Sequence, residues 1–494
     1  MAVMGDLRLG EVDHATGADD APVVIVGAGL TGLTTAWRLH QAGIRSLVIE
    51  ANGRLGGRVE TVTYPDGAVA EAHMEEFWEG SPAYPMLLAL GLPLAEDVAH
   101  SSVVIDGRLH RYRGDGDRDE YLSGLFSRAE RDALLRWTAT AWEVNQRLSA
   151  ARGSGTPLPA RLRGLMATSF RDHIEDAGLP HRVGEWIRVT LESEIAVEWD
   201  KIATLDGIAE MRVFLDSPEG FGERNFHVVG GNTTFVRALA DELPAGSILT
   251  GSRVTRVEDA SSGIRVHHLD RTGAEHVTTG RYAVVTVPLW CLEAIAFDPP
   301  LSPARRRAVA TTRFGSYVKV HFRVGPEAES IWAHHEGRLF TLLSDSPAGC
   351  IYNTSAFGPE AGKGHDLVIT ALVHGGFARS LGGLPDAETS RLVVEAMEAL
   401  VVEGPGGPTQ LFAGFGAHVT SSRVFSYPLA VAYWPAELGR SRFDDLAVEL
   451  RRPQGRVLIG GDTTDSSHSE GAVQAANRMA EALLSCGAEL GRSR

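Results

Sequence analysis

Residues 23–59 read VVIVGAGLTGLTTAWRLHQAGIRSLVIEANGRLGGRV, and this stretch decides the fold. Val23, Val24, Ile25 and Val26 form an unbroken apolar run, as a strand covered on both faces requires. Gly27, Gly29 and Gly32 follow in G-x-G-x-x-G spacing, with Ala28 and Leu30 among them. The spacing predicts a tight turn at Gly27, close approach of a pyrophosphate at Gly29 and helix-on-strand packing at Gly32. The helix that follows is apolar at Leu33, Trp37 and Leu39 and stops near Gly43. Its N-terminus offers free N–H groups and a positive dipole end to phosphates. A second strand, Ser46–Ile49, ends on Glu50, which lies 23 residues past Gly27. A carboxylate at an offset of roughly 20 binds ribose hydroxyls and disfavours a 2′-phosphate. Together these features define a dinucleotide site without separating NAD from FAD.

Bulk properties bound the rest. A chain of 494 residues exceeds one ordinary core, so two or more domains are expected. Hydrophobic content of 44% and charged content of 22% fit a globular enzyme. No uncharged apolar run approaches the roughly 18 residues of a membrane span. Residues 1–20 lack the basic start and apolar core of a secretory signal and read as a polar, mobile leader. A cytoplasmic protein is expected. Lys and Arg number 47 against 63 Asp and Glu, a net charge of −16. That balance argues against nucleic acid or an anionic membrane as partner and is compatible with a cationic substrate. Cys291, Cys350 and Cys486 are far apart and form no C-x-x-C pair, which fits a reduced protein without disulfides. The pairs His267-His268 and His334-His335 lack the i, i+4 spacing of a helical metal site, so no metal is expected. The oligomeric state stays open, a homodimer included.

Beyond the fingerprint, Arg54-Leu55-Gly56-Gly57-Arg58-Val59 resembles the R-x-G-G-R-x segment of the flavin-containing amine oxidoreductases, the monoamine and polyamine oxidase-like family. The resemblance implies FAD, with Gly56 and Gly57 close to it and Arg58 on its phosphate. His227-Val228-Val229-Gly230-Gly231-Asn232, followed by a short helix, is similar to another family segment, with Asn232 or Thr233 as the cap. In the family a backbone group at the position of Val254 meets the adenine end; its side chain reads as ordinary core. Gly460-Gly461-Asp462, then Ser469-Glu470-Gly471-Ala472-Val473, resembles the closing flavin motif. There Asp462 would bind a ribityl hydroxyl or sit beside the pyrophosphate, and the helix opening at Gly471, Ala472 and Val473 would point N–H groups at the ring. Ala475-Ala476 departs from the Ser-Gly common at that point.

The implied fold is α/β: a Rossmann-like FAD-binding domain with a second, α+β substrate domain, as in the amine oxidases. The flavin domain would be assembled from residues 21–80, 225–310 and 436–490. The substrate domain would comprise a helical block within 81–224 and a sheet within 311–435. Long amphipathic stretches at 122–148 and 169–187, with a glycine-rich break at 153–157, place the helices.

Lys319 is the catalytic candidate. It sits in the apolar strand Phe314-Gly315-Ser316-Tyr317-Val318-Lys319-Val320, on the face of Tyr317 and His321. Periodicity alone leaves a solvent-facing lysine open; the family resemblance implies a lysine that holds a water against flavin N5. Two rings flank the amine in many family members, and Tyr433-Trp434, with Trp434 favoured, fits one of them. The second position is His468, either a cavity group or an exposed turn residue. Where the amino acid oxidases of the family carry a carboxylate-gripping arginine, this chain has Glu75-Glu76. A carboxylate there would repel an amino acid and attract a second amine. A surface acidic pair is the other reading. In the family, flavin is sometimes attached through a cysteine just before the cage aromatic; here Val431-Ala432 precede Tyr433 with no cysteine near, so FAD is expected to bind noncovalently. The expected reaction is hydride removal from an amine-bearing carbon to give an imine, with O2 as acceptor and hydrogen peroxide as product. Alternatives are an L-amino acid oxidase, a desaturase or tailoring dehydrogenase of the same fold, and a flavin-binding protein without turnover.

Overall fold

The structure, a computed structural model, describes residues 21–97, 101–111, 118–154, 158–211, 224–332, 339–354, 366–404 and 406–491. The expected leader, residues 155–157 of the glycine-rich break and the His334-His335 pair lie outside the described residues.

Val23–Val26 is the central strand of a five-stranded parallel sheet and is buried throughout. The strand order is Ile248–Leu249, Ser46–Ile49, Val23–Val26, Ala283–Val285, Val457–Ile459. In register, Val24 pairs with Leu47 on one side and Ala283 on the other, and Val284 with Leu458. Three separated stretches of chain therefore meet in one sheet. On one face the helix Leu30–Gln41 packs beside the last helix, His468–Gly491, through Leu33, Trp37, Val473 and Met479. On the other, Val24, Val26 and Val285 meet Val254, Val257 and Val266 of a four-stranded sheet. At Gly32 a β-carbon would lie 2.0 Å from the Gly27 carbonyl oxygen, so no larger residue lets this helix approach the turn. Gly27 itself has φ +103°, a backbone L-residues rarely adopt.

A second sheet has seven strands in the order Val419–Tyr427, Tyr317–Val324, Leu367–His374, Cys350–Asn353, Leu342–Ser344, Ser102–Ile105, Arg108–His110. Its last two strands come from the stretch that the sequence pattern assigns to helices. They form a hairpin across Asp106-Gly107, whose φ angles of 50° and 68° are those an Asp-Gly turn favours. Arg128–Ser154, Phe170–Asp176, His181–Ile195 and Thr204–Glu210 pack against this sheet through Trp186, Ile187 and Phe170. The amphipathic stretch at 122–148 is two helices, broken at Ser127. The Ser127 N–H donates to Glu130 Oε2 at 2.8 Å and Glu130 N–H to Ser127 Oγ at 3.4 Å, a reciprocal cap that starts the second helix. The stretch at 169–187 likewise divides between Phe170–Asp176 and His181–Ile195.

A buried charge cluster ties the helices to the C-terminal segments. Arg442 Nε donates to Asp206 Oδ1 at 2.9 Å, and its Nη2 pairs with Glu210. All three side chains are almost fully buried. Arg442→Ala would leave two buried carboxylates without their cation and should cost about 3–5 kcal/mol. Urea unfolding at neutral pH would read this as a lower midpoint with an unchanged slope.

Candidate active site

Between the two sheets lies a cavity of about 840 Å³. One end is the nucleotide fingerprint. Gly27, Gly29, Leu30, Glu50, Gly56, Gly57, Arg58 and Val254 are on its wall. Gly29 caps the Leu30–Gln41 helix with no side-chain partner, so the first N–H groups stay open. A β-carbon at Gly29 would meet nothing within 4 Å, and the bare backbone faces the cavity. Glu50 is oriented from both sides: Oε2 accepts from Ala28 N–H and Oε1 from Asn52 N–H, each at 2.8 Å. Farther along, Arg58 Nη2 lies 2.5 Å from Asp462 Oδ1, and Nη1 donates to the Ala430 carbonyl at 3.0 Å. The Arg58 guanidinium stands 5.6 Å from the centre of the Trp290 ring. Ser469 and Ala472 bring the start of the last helix to the wall, where the buried Ser469 Oγ has no hydrogen-bond partner among the described residues.

Other fingerprint residues build the site without lining it. Ala28 and Val473 are core, and Gly32 is packing. Gly461 closes a turn with Thr464 Oγ1 at 3.0 Å. At Gly471 a β-carbon would lie 1.6 Å from the Ser466 carbonyl oxygen.

The far end is made by the seven-stranded sheet and residues 71–76. Lys319 is 2% exposed, so the solvent-facing reading is excluded. Its Nζ donates to the Glu71 carbonyl at 3.1 Å, the His73 carbonyl at 2.5 Å and Glu75 Oε1 at 2.5 Å. Those three acceptors take all three ammonium protons. The Asn232 side chain does not cap its helix; its Nδ2 donates to the carbonyls of Met74 at 3.1 Å and Glu75 at 2.8 Å. His321 Nε2 reaches the Glu71 carbonyl at 3.0 Å. Residues 71–75 are thus pinned by the Lys319 strand on one side and by Asn232, at the start of the helix Thr233–Asp241, on the other.

Glu75, Glu76 and His468 all reach the cavity. Glu76 shows 37% of its side chain, but to the cavity and not the outer surface. Burial, then the charges of Asp97, Glu194 and Glu75, hold its carboxyl well above the usual range. Glu194 shares the wall; burial raises it too, against the pull of His468. Burial would keep His468 neutral, but Glu210 and Glu194 overcome it and raise its pKa. Its Nε2 stands 3.4 Å from Glu210 Oε2, an ion contact without hydrogen-bond alignment. Its φ of 65° turns the ring inward at the helix start.

The expected ring pair is not where the sequence puts it. Tyr433 and Trp434 are off the wall. Tyr433 pairs with Arg313 in a short bridge. Trp434 is buried, with the Arg442 guanidinium 4.9 Å from its ring centre. That bridge lifts the chain away, and Leu429, Ala430 and Val431 line the cavity instead. Rings come from the sheet: Tyr317 from the Lys319 strand, Tyr352 and Tyr427. Tyr317 was in view as the neighbour of Lys319 on one strand face. Glu194, carried on a helix far away in sequence, gave no local signal. Nor did His227, whose Nε2 lies 3.2 Å from Asp97 Oδ2 and 4.0 Å from Glu76 Oε2.

The geometry defines a class: a dinucleotide-binding oxidoreductase fold whose cofactor channel opens into an acidic, tyrosine-lined chamber. The family model described as flavin containing amine oxidoreductase matches residues 30–484, and the chain belongs to that family. It is 26% identical over 505 residues to polyamine oxidase 1 of Oryza sativa subsp. japonica, covering 90% of this chain and 93% of that one. It is 23% identical over 483 residues to nicotine dehydrogenase of Pseudomonas putida (strain DSM 28022 / S16), covering 95% and 90%. Putrescine oxidase bound to putrescine superposes with a TM-score of 0.73 at 19% identity, over 94% of this chain and 99% of that one. Cyclohexylamine oxidase from Brevibacterium oxydans IH-35A does so with a TM-score of 0.69 at 19% identity, with the same coverages. The protein is a flavin-dependent oxidoreductase with the two-domain amine oxidase fold. No helix among the described residues is long and apolar enough to cross a membrane.

Glu71 gives this site a pH signature. Burial, against hydrogen bonds from Asn232 and Thr61, raises its carboxyl to about 8. A carboxyl raised in the folded state favours folding below its ordinary range, and that contribution is lost as pH rises toward about 8. Glu71→Gln should flatten the fall in melting temperature between about pH 5 and 8, which thermal scans of both proteins would show.

Proposed function

We propose that the cavity holds FAD noncovalently and that the protein oxidises an amine carrying a second cationic group, with O2 as acceptor. In this reading Glu50 and the backbone at Val254 take the adenosine end. The N-terminus of Leu30–Gln41, with Gly56, Gly57 and Arg58, takes the pyrophosphate. Asp462 meets the ribityl chain, and the last helix, at Ser469 and Ala472, faces the ring. The donor set fits such a group. A helix end without a side-chain cap, a side-chain-free Gly29 and a Ser469 hydroxyl that has no partner among the described residues all face one channel. Bound flavin supplies a two-electron acceptor. Cys291 also lies on the wall, but burial pushes its thiol up, which keeps it protonated and a poor nucleophile for covalent attachment. No disulfide links Cys291, Cys350 or Cys486 among the described residues, which suits a reducing, cytoplasmic setting.

One observation carries the substrate reading: Glu76 and Glu194 face the chamber with no lysine or arginine paired to either among the described residues. Two carboxylates buried side by side attract a cation, and a substrate ammonium brings one. The relatives described as polyamine oxidase and putrescine oxidase point the same way. An amino acid's carboxylate would be repelled. A neutral amine must meet the flavin, because its lone pair supports the iminium as hydride leaves. Lys319 anchors the chamber at that end.

Anaerobic mixing of the yellow protein with diamines, monoamines and amino acids tests this directly. Diamines should bleach the flavin fastest, and air should then yield hydrogen peroxide; bleaching only by amino acids would overturn it. Glu194→Gln should lower the preference for diamine over monoamine, as a ratio of kcat/KM, by about tenfold. Because both carboxyls are raised, that preference should grow as pH climbs above the usual carboxylate range. Lys319→Met should keep its FAD but turn over about 10–100-fold more slowly, seen as slower flavin reduction or reoxidation in stopped flow.

A further inference from the structure

We infer that Glu75 is the counter-ion for the positive charge that develops on the substrate nitrogen, and that Lys319 is a positioning residue acting through it. The inference rests on the amine-oxidising reading above. Three observations carry it. All three Lys319 protons are engaged by protein acceptors, which leaves the ammonium no further proton to donate to a ligand. Glu75 and Lys319 both line the cavity wall, and Glu75 Oε1 accepts from Lys319 Nζ. Among the described residues no other hydrogen bond reaches its carboxylate, so Oε2 remains able to accept from a ligand. Its backbone is fixed by Asn232, which grips the Met74 and Glu75 carbonyls and is fully buried.

The chemistry needs such a group. When the amine is oxidised, its α C–H bond breaks and the hydrogen leaves with the electron pair to the flavin. The nitrogen lone pair becomes the second C–N bond, so one positive charge appears on nitrogen and two electrons have left the substrate. A fixed carboxylate beside that nitrogen is worth more after the step than before it, because the neutral amine has no charge to offer. This is preorganised electrostatic stabilisation with the sign opposite to that of an oxyanion hole. Lys319 supplies the preorganisation. One ammonium held by two carbonyls and one carboxylate oxygen fixes Oε1 of Glu75 on the cavity wall, and Oε2 is the oxygen left to answer a ligand.

Glu75→Gln keeps the size and loses the charge. Butylguanidine, a planar delocalised cation, mimics the iminium; butylurea is its neutral isostere. Dissociation constants from flavin absorbance changes should show butylguanidine weakened about 10–100-fold in Glu75→Gln and butylurea unchanged. Anaerobic flavin reduction by a diamine should fall about 10²–10³-fold. The double variant Glu75→Gln, Lys319→Met should be no slower than Glu75→Gln within about twofold, because both remove one interaction. Glu75→Asp should lose less than Glu75→Gln in both readouts and serves where the amide variant folds poorly. Equal butylguanidine affinity in wild type and variants, or losses that multiply in the double variant, would overturn the inference. A wild type that binds butylguanidine through Glu75 yet is reduced by no amine would instead overturn the proposed function alone.

Discussion

One buried ammonium holds the two halves of this molecule to a common site. Lys319 sits in the second strand of the seven-stranded sheet, and every acceptor it finds lies on residues 71–75, which lead out of the fingerprint region. An unpaired ammonium at that depth would cost several kcal/mol, so the segment and the sheet hold each other in register. His321, two residues on and so on the same strand face, completes the clasp. Burial, then the Lys319 charge, lowers its pKa to about 3, so it is neutral. Its two contacts then assign the tautomer: Nε2–H donates to the Glu71 carbonyl and Nδ1 accepts from the Tyr64 hydroxyl. The Glu71 carbonyl uses both lone pairs, one for each residue.

This clasp explains which parts of the site could be read from the sequence. Gly27, Gly29 and Glu50 were legible because their job is local: a turn, a helix start and a carboxylate on one βαβ unit fix their own geometry. Arg58 and Asp462 came from motif resemblance, and they meet across 404 residues of chain because both motifs end beside the same sheet. Lys319 was legible as an anomaly, a charge inside an apolar strand. What it touches was not, because its partners are two backbone carbonyls and a glutamate from another part of the chain. Trp434 misled for a related reason. A bulky ring near the right place in sequence reads as a wall residue. Arg442, eight residues on in the chain, gives that ring a buried cation to cover, and the wall falls to Ala430 instead. In the fold, the Asp106-Gly107 hairpin was readable in principle; its alternation is short and its flanks are helical, so the helical pattern dominated.

The net charge of −16 says little until the carboxylates are sorted by partner. Asp206 and Glu210 are answered by Arg442, with His468 close to Glu210. Glu75 is answered by Lys319 and Asp97 by His227. Glu50 is engaged by backbone and amide N–H groups. Glu76 and Glu194 are left, with Asn225 at 3.2 Å from the first and His468 at 3.8 Å from the second. Both carboxyls are raised, first by burial; Asp97, Glu194 and Glu75 raise Glu76 further, and Glu210 raises Glu194 against the pull of His468. In the proposed reading a dication entering the chamber would meet two kinds of carboxylate: Glu75, held by Lys319, and Glu76 with Glu194, which no lysine or arginine pairs among the described residues.

That division has a kinetic meaning. A carboxylate that binds the substrate's charged group equally before and during reaction lowers KM and does nothing for kcat. In the proposed reading Glu76 and Glu194 would be of this kind, because a distal ammonium carries the same charge throughout. Glu75 differs only if the nitrogen beside it starts neutral, so the pocket must not stabilise a proton there. The Lys319 ammonium against Glu75 does this work. It offsets the carboxylate's field enough to make a resident ammonium less favourable, while Oε2 is left to answer a charge that forms within hydrogen-bond reach. The same salt bridge therefore orients the carboxylate and disfavours the wrong protonation state of the amine. A lone glutamate at this position could do neither.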